Sequence, residues 1–205
     1  MTELGKADSA TAMEPCWSCR DAVSTLALFC AHCGVIQPPS HLDHFRRLGL
    51  HRHYAVDPAE LDRHYAGFSQ RLRPDRFAGR SAKEQRLAER QQDGLTEAYE
   101  TLQDPLRRAI YLLRLAGRSI DVERPTAVDD HDLLAEIAEL RRALAAADGR
   151  DQAQQVAARI ETEALRCRQL LGEAFAVEEL DVAAALTMRL GQLAKLTAEA
   201  ASRQS

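Results

Sequence analysis

The chain is expected to be mostly α-helical, with a helical hairpin and a C-terminal three-helix bundle behind a small tetracysteine module. Three observations predict this. Ala and Leu dominate while aromatics make up only 5% of 205 residues, a balance that favours helix over strand. Helix-start signals recur ahead of apolar stripes with a period of about 3.6 residues. Outside residues 15–37 no alternating strand pattern is found. Hydrophobic residues, at 45%, are numerous enough for a core. A net charge of −4 argues against bulk nucleic-acid binding, which needs a basic surface to neutralise phosphates. No apolar run approaches the ~20 residues of a membrane span. Residues 1–14 lack an apolar signal core and carry Glu3, Asp8 and Glu14, so a disordered tail is expected there. A cytoplasmic, reducing location follows, which favours the cysteines as metal ligands or core residues and leaves disulfides the weakest option.

The elements follow in order. Residues 15–37 form the cysteine module, and Pro38-Pro39-Ser40 a short stiff linker. Asp57-Pro58-Ala59-Glu60 offers an acceptor cap, a first-turn proline and an early carboxylate. Leu61, Tyr65, Phe68 and Leu72 then share one helical face. Ser81-Ala82-Lys83-Glu84 is a capping box that opens a helix carrying Leu87, Leu95, Tyr99 and Leu102. Gly94 lies inside this helix and costs it about 1 kcal/mol relative to Ala. Asp104-Pro105 starts a third segment that Gly117 closes, and a loop runs to about residue 130. Three amphipathic stripes follow. Leu133, Leu134, Ile137, Leu140 and Leu144 line the first, Val156, Ile160, Ala164, Cys167 and Leu171 the second, and Leu186, Leu190, Leu193 and Leu196 the third. Together they predict a three-helix bundle over 128–200, with Cys167 a core thiol.

Cys16-Trp17-Ser18-Cys19 and Cys30-Ala31-His32-Cys33 are two CxxC pairs separated by ten residues. Two thiolates three positions apart on a tight turn can face one ion. Two such knuckles, each eased by the residue after it (Arg20, Gly34), build a closed tetrahedral four-sulfur site of zinc-ribbon type. Structural zinc is the expected occupant, and iron satisfies the same spacing. The module is too short for a core of its own, so metal binding supplies most of its folding free energy. A closed site leaves no open position for catalysis. His32 is expected at the surface.

Between the two capped helices lies the loop Arg73-Pro74-Asp75. Its pattern is close to the His-Pro-Asp signature of J-domain co-chaperones, with arginine in place of histidine. HFRRLGL at 44–50 matches the short first helix of such a domain, and YAVDPAELDRHYAGFSQRLRPDRFAG at 54–79 its second helix and loop. AYETLQDPLRRAIYLLRLAG at 98–117 is close to a signature of one branch. On these residues, 15–200 resemble the HscB-type co-chaperones of iron–sulfur cluster assembly. Residues 41–117 are the J-like domain, 128–200 the C-terminal scaffold-binding domain, and the tetracysteine module the zinc-binding extension of some members.

The resemblance implies that the loop docks on a DnaK/HscA-class ATPase chaperone and promotes ATP hydrolysis. The residues this assigns to the chaperone are Arg63, Arg71, Arg73, Pro74, Asp75 and Arg76. Proline stiffens the loop, aspartate pairs with a cation, and the arginines suit an acidic partner. Arg73 keeps length and donors but carries a permanent charge and accepts no hydrogen bond. It also implies that the first and last C-terminal helices hold an iron–sulfur scaffold protein. By register this falls on Leu134 and Ala138, or on Leu133 and Ile137 if shifted by one, with Gln192 where an aromatic is expected. At least half of these apolar residues are expected in the bundle core.

The leading expectation is a non-enzymatic co-chaperone that brings an iron–sulfur scaffold to its ATPase partner. The alternatives are a J-like adaptor that lost chaperone activation and a zinc-ribbon nucleic-acid-binding protein, which the acidic balance opposes. A homodimer paired through the metal module is compatible with the sequence. No phosphate-cradling glycine loop, HExxH motif or nucleophile elbow points to an intrinsic enzyme. The histidines at 41, 44, 51, 53 and 64 are expected mostly at the surface.

Overall fold

A computed structural model describes residues 12–122 and 131–204, the side chains of 131–134 and 203–204 excepted. Residues 1–11 of the tail expected over 1–14, and 123–130 of the expected loop, lie outside the described residues, while Met13 and Glu14 of that tail are in a strand. The fold is mostly helical, with a two-stranded sheet inside the cysteine module. The chain divides into two compact units. One holds the residues up to Arg52 together with Val56–Gln103, the other His53–Ala55 together with Asp104 onward.

The first unit opens on an antiparallel hairpin of β1 (Met13–Pro15) and β2 (Ala22–Ser24), with Glu14 opposite Val23. The strands therefore begin two residues ahead of the expected module. A short α1 (His44–Arg47) is capped by Asp43, whose carboxylate accepts from the Arg46 amide. Then come α2 (Pro58–Leu72), a 3-10 turn (Pro74–Phe77) and α3 (Ala82–Gln103). The predicted caps are in place. Asp57 accepts from the Ala59 amide at 2.9 Å, and Ser81 and Glu84 cap each other reciprocally at 3.1 and 3.3 Å. The hairpin closes on Leu61, Leu72, Phe77, Leu87, Leu95, Ala98 and Leu102, with Phe45 and Leu48 of the α1 region fully buried among the unit's core residues. Tyr65 stacks on Tyr99 with ring centroids 4.2 Å apart, which ties the middle of α2 to the C-terminal part of α3.

The second unit contains α4 (Pro105–Leu115), α5 (His131–Ala146), α6 (Arg150–Ala176) and α7 (Leu180–Gln204). Asp104 caps α4 and Gly117, at φ +76°, ends it. Helix α4 packs against α7, and Gly191 of α7 leaves the space that Val122 fills: an added Cβ there would sit 3.1 Å from that side chain. The core comes from the predicted stripes, with Leu140, Leu144, Ile160, Leu171, Leu193 and Leu196 all buried. Val156 and Leu186 are only half-buried. Cys167 is a core thiol that donates to the Leu186 carbonyl, and burial pushes its pKa up to about 11. Arg189 of α7 reaches Glu136 of α5 at 2.6 Å and Glu163 of α6 at 2.9 Å, so one cation joins three helices.

Tyr54 also belongs to this unit. Its side chain is 4% exposed, stacks on Phe175 of α6 and lies under the Arg108 guanidinium, and burial pushes its pKa up to about 12. Nothing in its own neighbourhood of sequence signalled this, because its partners come from helices far along the chain.

Candidate functional site

The two cysteine knuckles are built alike. In each, the amide four residues on returns to the first cysteine's carbonyl: Arg20 to Cys16 at 3.0 Å, and Gly34 to Cys30 at 2.9 Å. In each, the first cysteine's own amide donates forward, Cys16 to Asp21 and Cys30 to Val35. The turn requires a left-handed residue, at φ +69° for Arg20 and +72° for Gly34. Glycine takes this conformation freely. Arginine takes it at a cost of about 1 kcal/mol, offset by the closure it permits.

The knuckles face each other. Cys16 Sγ lies 3.8 Å from Cys33 Sγ, Cys19 Sγ lies 3.7 Å from Cys30 Sγ, and all four sulfurs fall within 4.8 Å of one another. A tetrahedral ion with metal–sulfur bonds of about 2.3 Å spaces its sulfurs by about 3.8 Å. The donor set of Cys16, Cys19, Cys30 and Cys33 therefore fits an ion held by four sulfurs. Cys16 and Cys30 are buried with Val23, while Cys33 is exposed and leaves one edge open to solvent.

The two thiols of the first knuckle are shifted in opposite directions. Burial pushes the Cys16 thiol up, but it is outweighed by hydrogen bonds from the backbone of Cys19 and Ser18 and from the Gln37 side chain, which bring the pKa down to about 6. Cys19 has the opposite fate. A backbone bond near Asp21 favours its thiolate, yet burial and the neighbouring sulfurs of Cys33, Cys16 and Cys30 push it up to about 12. Four sulfurs without a cation cannot all ionise, and a divalent ion removes that conflict. His32 is exposed and pairs with Asp21 at 3.1 Å, outside the sulfur cage.

The module is seated on the hairpin through contacts that the sequence did not reveal. Gln37 donates to Cys16 Sγ and to the Val35 carbonyl, while its own carbonyl accepts from Gln91 of α3 at 3.0 Å. Gln91 is buried, a polar residue on the apolar stripe between Leu87 and Leu95. That misplaced polarity was the available signal. Arg47 reaches Gln91 and the Ser40 carbonyl of the linker, and it passes over Gly94, where an added Cβ would lie 3.2 Å from its guanidinium. The Lys83 ammonium sits 3.7 Å above the Trp17 ring, whose N–H donates to the Ile36 carbonyl. The Arg71 guanidinium sits 5.2 Å from the centre of the Phe29 ring.

The loop residues lie at the far end of α2. Arg73 is the C-cap of α2, Pro74 opens the 3-10 turn, and Asp75 follows. All three are exposed, as are Arg63, Arg71 and Arg76. Arg73 Nε donates to Asp75 Oδ1 at 3.0 Å, so the loop is internally paired. Beside it runs a groove of about 550 Å³ between α2 and α3, floored by Leu72, Phe77 and Ala88.

In the second unit, Ala138 is exposed on α5 and Gln192 is half-buried on α7. Ile137 is 5% exposed and belongs to the core. The side chains of Leu133 and Leu134 lie outside the described residues. His41, His51 and His53 are exposed, while His64 Nδ1 lies 2.7 Å from the Leu48 carbonyl.

No family model matches the chain. It is 32% identical to the iron–sulfur cluster co-chaperone protein HscB homolog of Arabidopsis thaliana, over 85% of this chain and 68% of that protein. It is 39% identical to the co-chaperone protein HscB homolog of Bordetella pertussis, over 64% of this chain and 77% of the relative. Its structure is similar to that of human co-chaperone protein HscB, with a TM-score of 0.86 at 25% identity, over 92% of this chain and 98% of that one.

Proposed function

The chain belongs to the HscB family of iron–sulfur cluster co-chaperones, and from that premise we propose that it delivers an iron–sulfur scaffold protein to a DnaK/HscA-class chaperone and stimulates its ATPase. The observation that carries this is the signature loop. Pro74 opens a rigid turn that presents Arg73 and Asp75 to solvent at the end of a capped, well-packed helical hairpin. Arg63, Arg71 and Arg76 add positive potential around it, suited to steering onto an acidic chaperone surface.

The finer assignments have separate support. We take the tetracysteine ion to be zinc, since tetrahedral sulfur geometry suits it and no open position is needed; iron fits the same cage. We place scaffold binding on α5 and α7 of the 128–200 domain, at Leu133, Leu134, Ala138 and Gln192, with Ile137 as support beneath. The J-like domain at 41–117 and the metal module at 15–37 serve the chaperone side. A cytoplasmic location suits this role, and among the described residues no helix is long and apolar enough to cross a membrane. Pairing of two copies through the metal module remains part of the proposal.

A second reading draws on the Arg73–Asp75 bond. An aspartate already paired within its own loop must give up that partner to meet a chaperone cation, which favours an adaptor without activation. The experiment is steady-state ATPase of the cognate chaperone with this protein and with Arg73→His. Stimulation by the unaltered protein is expected. The histidine variant is expected to act at a concentration up to about fivefold lower, the worth of one exposed ion pair. Stimulation by Arg73→His alone would establish the adaptor, and stimulation by neither would sink the chaperone assignment.

A further inference from the structure

We propose that the tetracysteine module is a metal-dependent brace, holding through Phe29, Trp17 and Gln37 the end of the helical hairpin that meets the chaperone. The inference rests on the co-chaperone reading for its consequence, but not for its geometry.

The contacts run from the two knuckles to both arms of the hairpin and end at Arg71, two residues before the signature loop. Cys16 Sγ accepts from Gln37, and the Gln37 carbonyl accepts from Gln91 on α3. Gln91 also accepts from Arg47, which holds the linker at Ser40. One residue from Cys16, the Trp17 ring lies under Lys83 in the first turn of α3. One residue before Cys30, the Phe29 ring lies under Arg71, two positions ahead of Arg73. Both rings are thus placed by the backbone of a knuckle, and both carry a cation from a different arm of the hairpin.

Each contact needs the knuckles to be closed. A module this small has a core of a few side chains around Cys16, Val23 and Cys30, and without an ion it cannot hold its rings in place. Losing the metal then frees Arg71 from Phe29 and Lys83 from Trp17, and leaves Gln91 buried without its carbonyl. A side chain that is already oriented loses less entropy on docking than a free one. Phe29 is in this sense a positioning residue for Arg71.

The test uses the full chain. Trp17 is the sole tryptophan, so its emission reports the module directly. Hydrogen exchange is followed at residues 70–73 and 82–92 in zinc-loaded protein, after chelation, and after zinc is returned. Chelation is expected to shift Trp17 emission and to raise exchange in both segments by about fivefold or more, reversibly. Phe29→Leu, with metal still bound, is expected to raise exchange at 70–73. It should also raise the concentration for half-maximal ATPase stimulation by about threefold, with the maximum unchanged. Phe29→Tyr keeps a ring face and should behave as the unaltered protein. Exchange indifferent to chelation would overturn the brace, and so would Phe29→Leu matching the unaltered protein at 70–73. Exchange is read without a chaperone, so a complete lack of ATPase stimulation would sink the co-chaperone reading and leave the brace to be decided by exchange alone.

Discussion

Gly94 appears in the sequence as a defect, a flexible residue in the middle of a helix of 22 residues. The structure supplies its use. Its missing side chain is the space through which Arg47 passes to reach Gln91 and Ser40. Two effects of similar size then oppose each other in Gly94→Ala. Helix propensity gains about 1 kcal/mol, and displacement of a pinned guanidinium loses about 1 kcal/mol of hydrogen bonding. The single variant is therefore expected near neutral in urea unfolding. With Arg47→Ala already present, Gly94→Ala should stabilise by about 1 kcal/mol, and the double-mutant cycle measures the difference. Equal effects in both backgrounds would show that the close approach carries no energy. The cost of Gly94 was legible in the sequence because propensity is local. Its purpose was not, because Arg47 lies on another element. The four cysteines were legible for the converse reason: each knuckle is a local turn, and only their meeting is long-range.

Caps were the most legible elements, since every group involved lies within four residues. In α3 the Ser81 hydroxyl bonds the Glu84 carboxylate at 2.8 Å, and this bond is the main cause holding that carboxyl below its ordinary value of 4.5. A carboxyl depressed in the folded state contributes stability that is present above its unfolded pKa and is lost as pH falls through the folded value. Ser81→Ala is expected to cost about 1 kcal/mol at neutral pH and less once Glu84 is protonated. Unfolding at pH 7 and at pH 3 checks this, and an equal cost at both would remove Glu84 from the cap. Helix α4 shows where reading by element stops. Its cap at Asp104 and its end at Gly117 were predicted, and its apolar residues Ala109, Leu112 and Leu113 are buried. A stripe says that a face is covered without saying by what. The resemblance placed α4 in the J-like domain at 41–117, whereas in the structure it packs on α7 within the second unit.

At the scale of the whole chain, neither compact unit is one continuous stretch. His53–Ala55 count with the helices after residue 103, because Tyr54 fills a slot beside Phe175, Arg108 and Gly172. Tyr54→Ala is expected to cost about 3–5 kcal/mol, the usual range for emptying a buried aromatic site. The loss should lower the urea midpoint of far-UV circular dichroism, dominated by the long helices, while the Trp17 transition of the first unit moves less. Coincident shifts in both signals would mean that the two units unfold as one. The slot also imposes an order of events on a chain that leaves the ribosome N-terminus first. Tyr54 emerges early, yet Phe175 lies roughly 120 residues behind it, and closing so long a loop must await nearly complete synthesis. The metal knuckles and the signature loop, by contrast, draw only on residues before 104. A nascent chain could therefore load its ion and shape its loop before the second unit has its last two helices, with one tyrosine left waiting in solvent until they arrive.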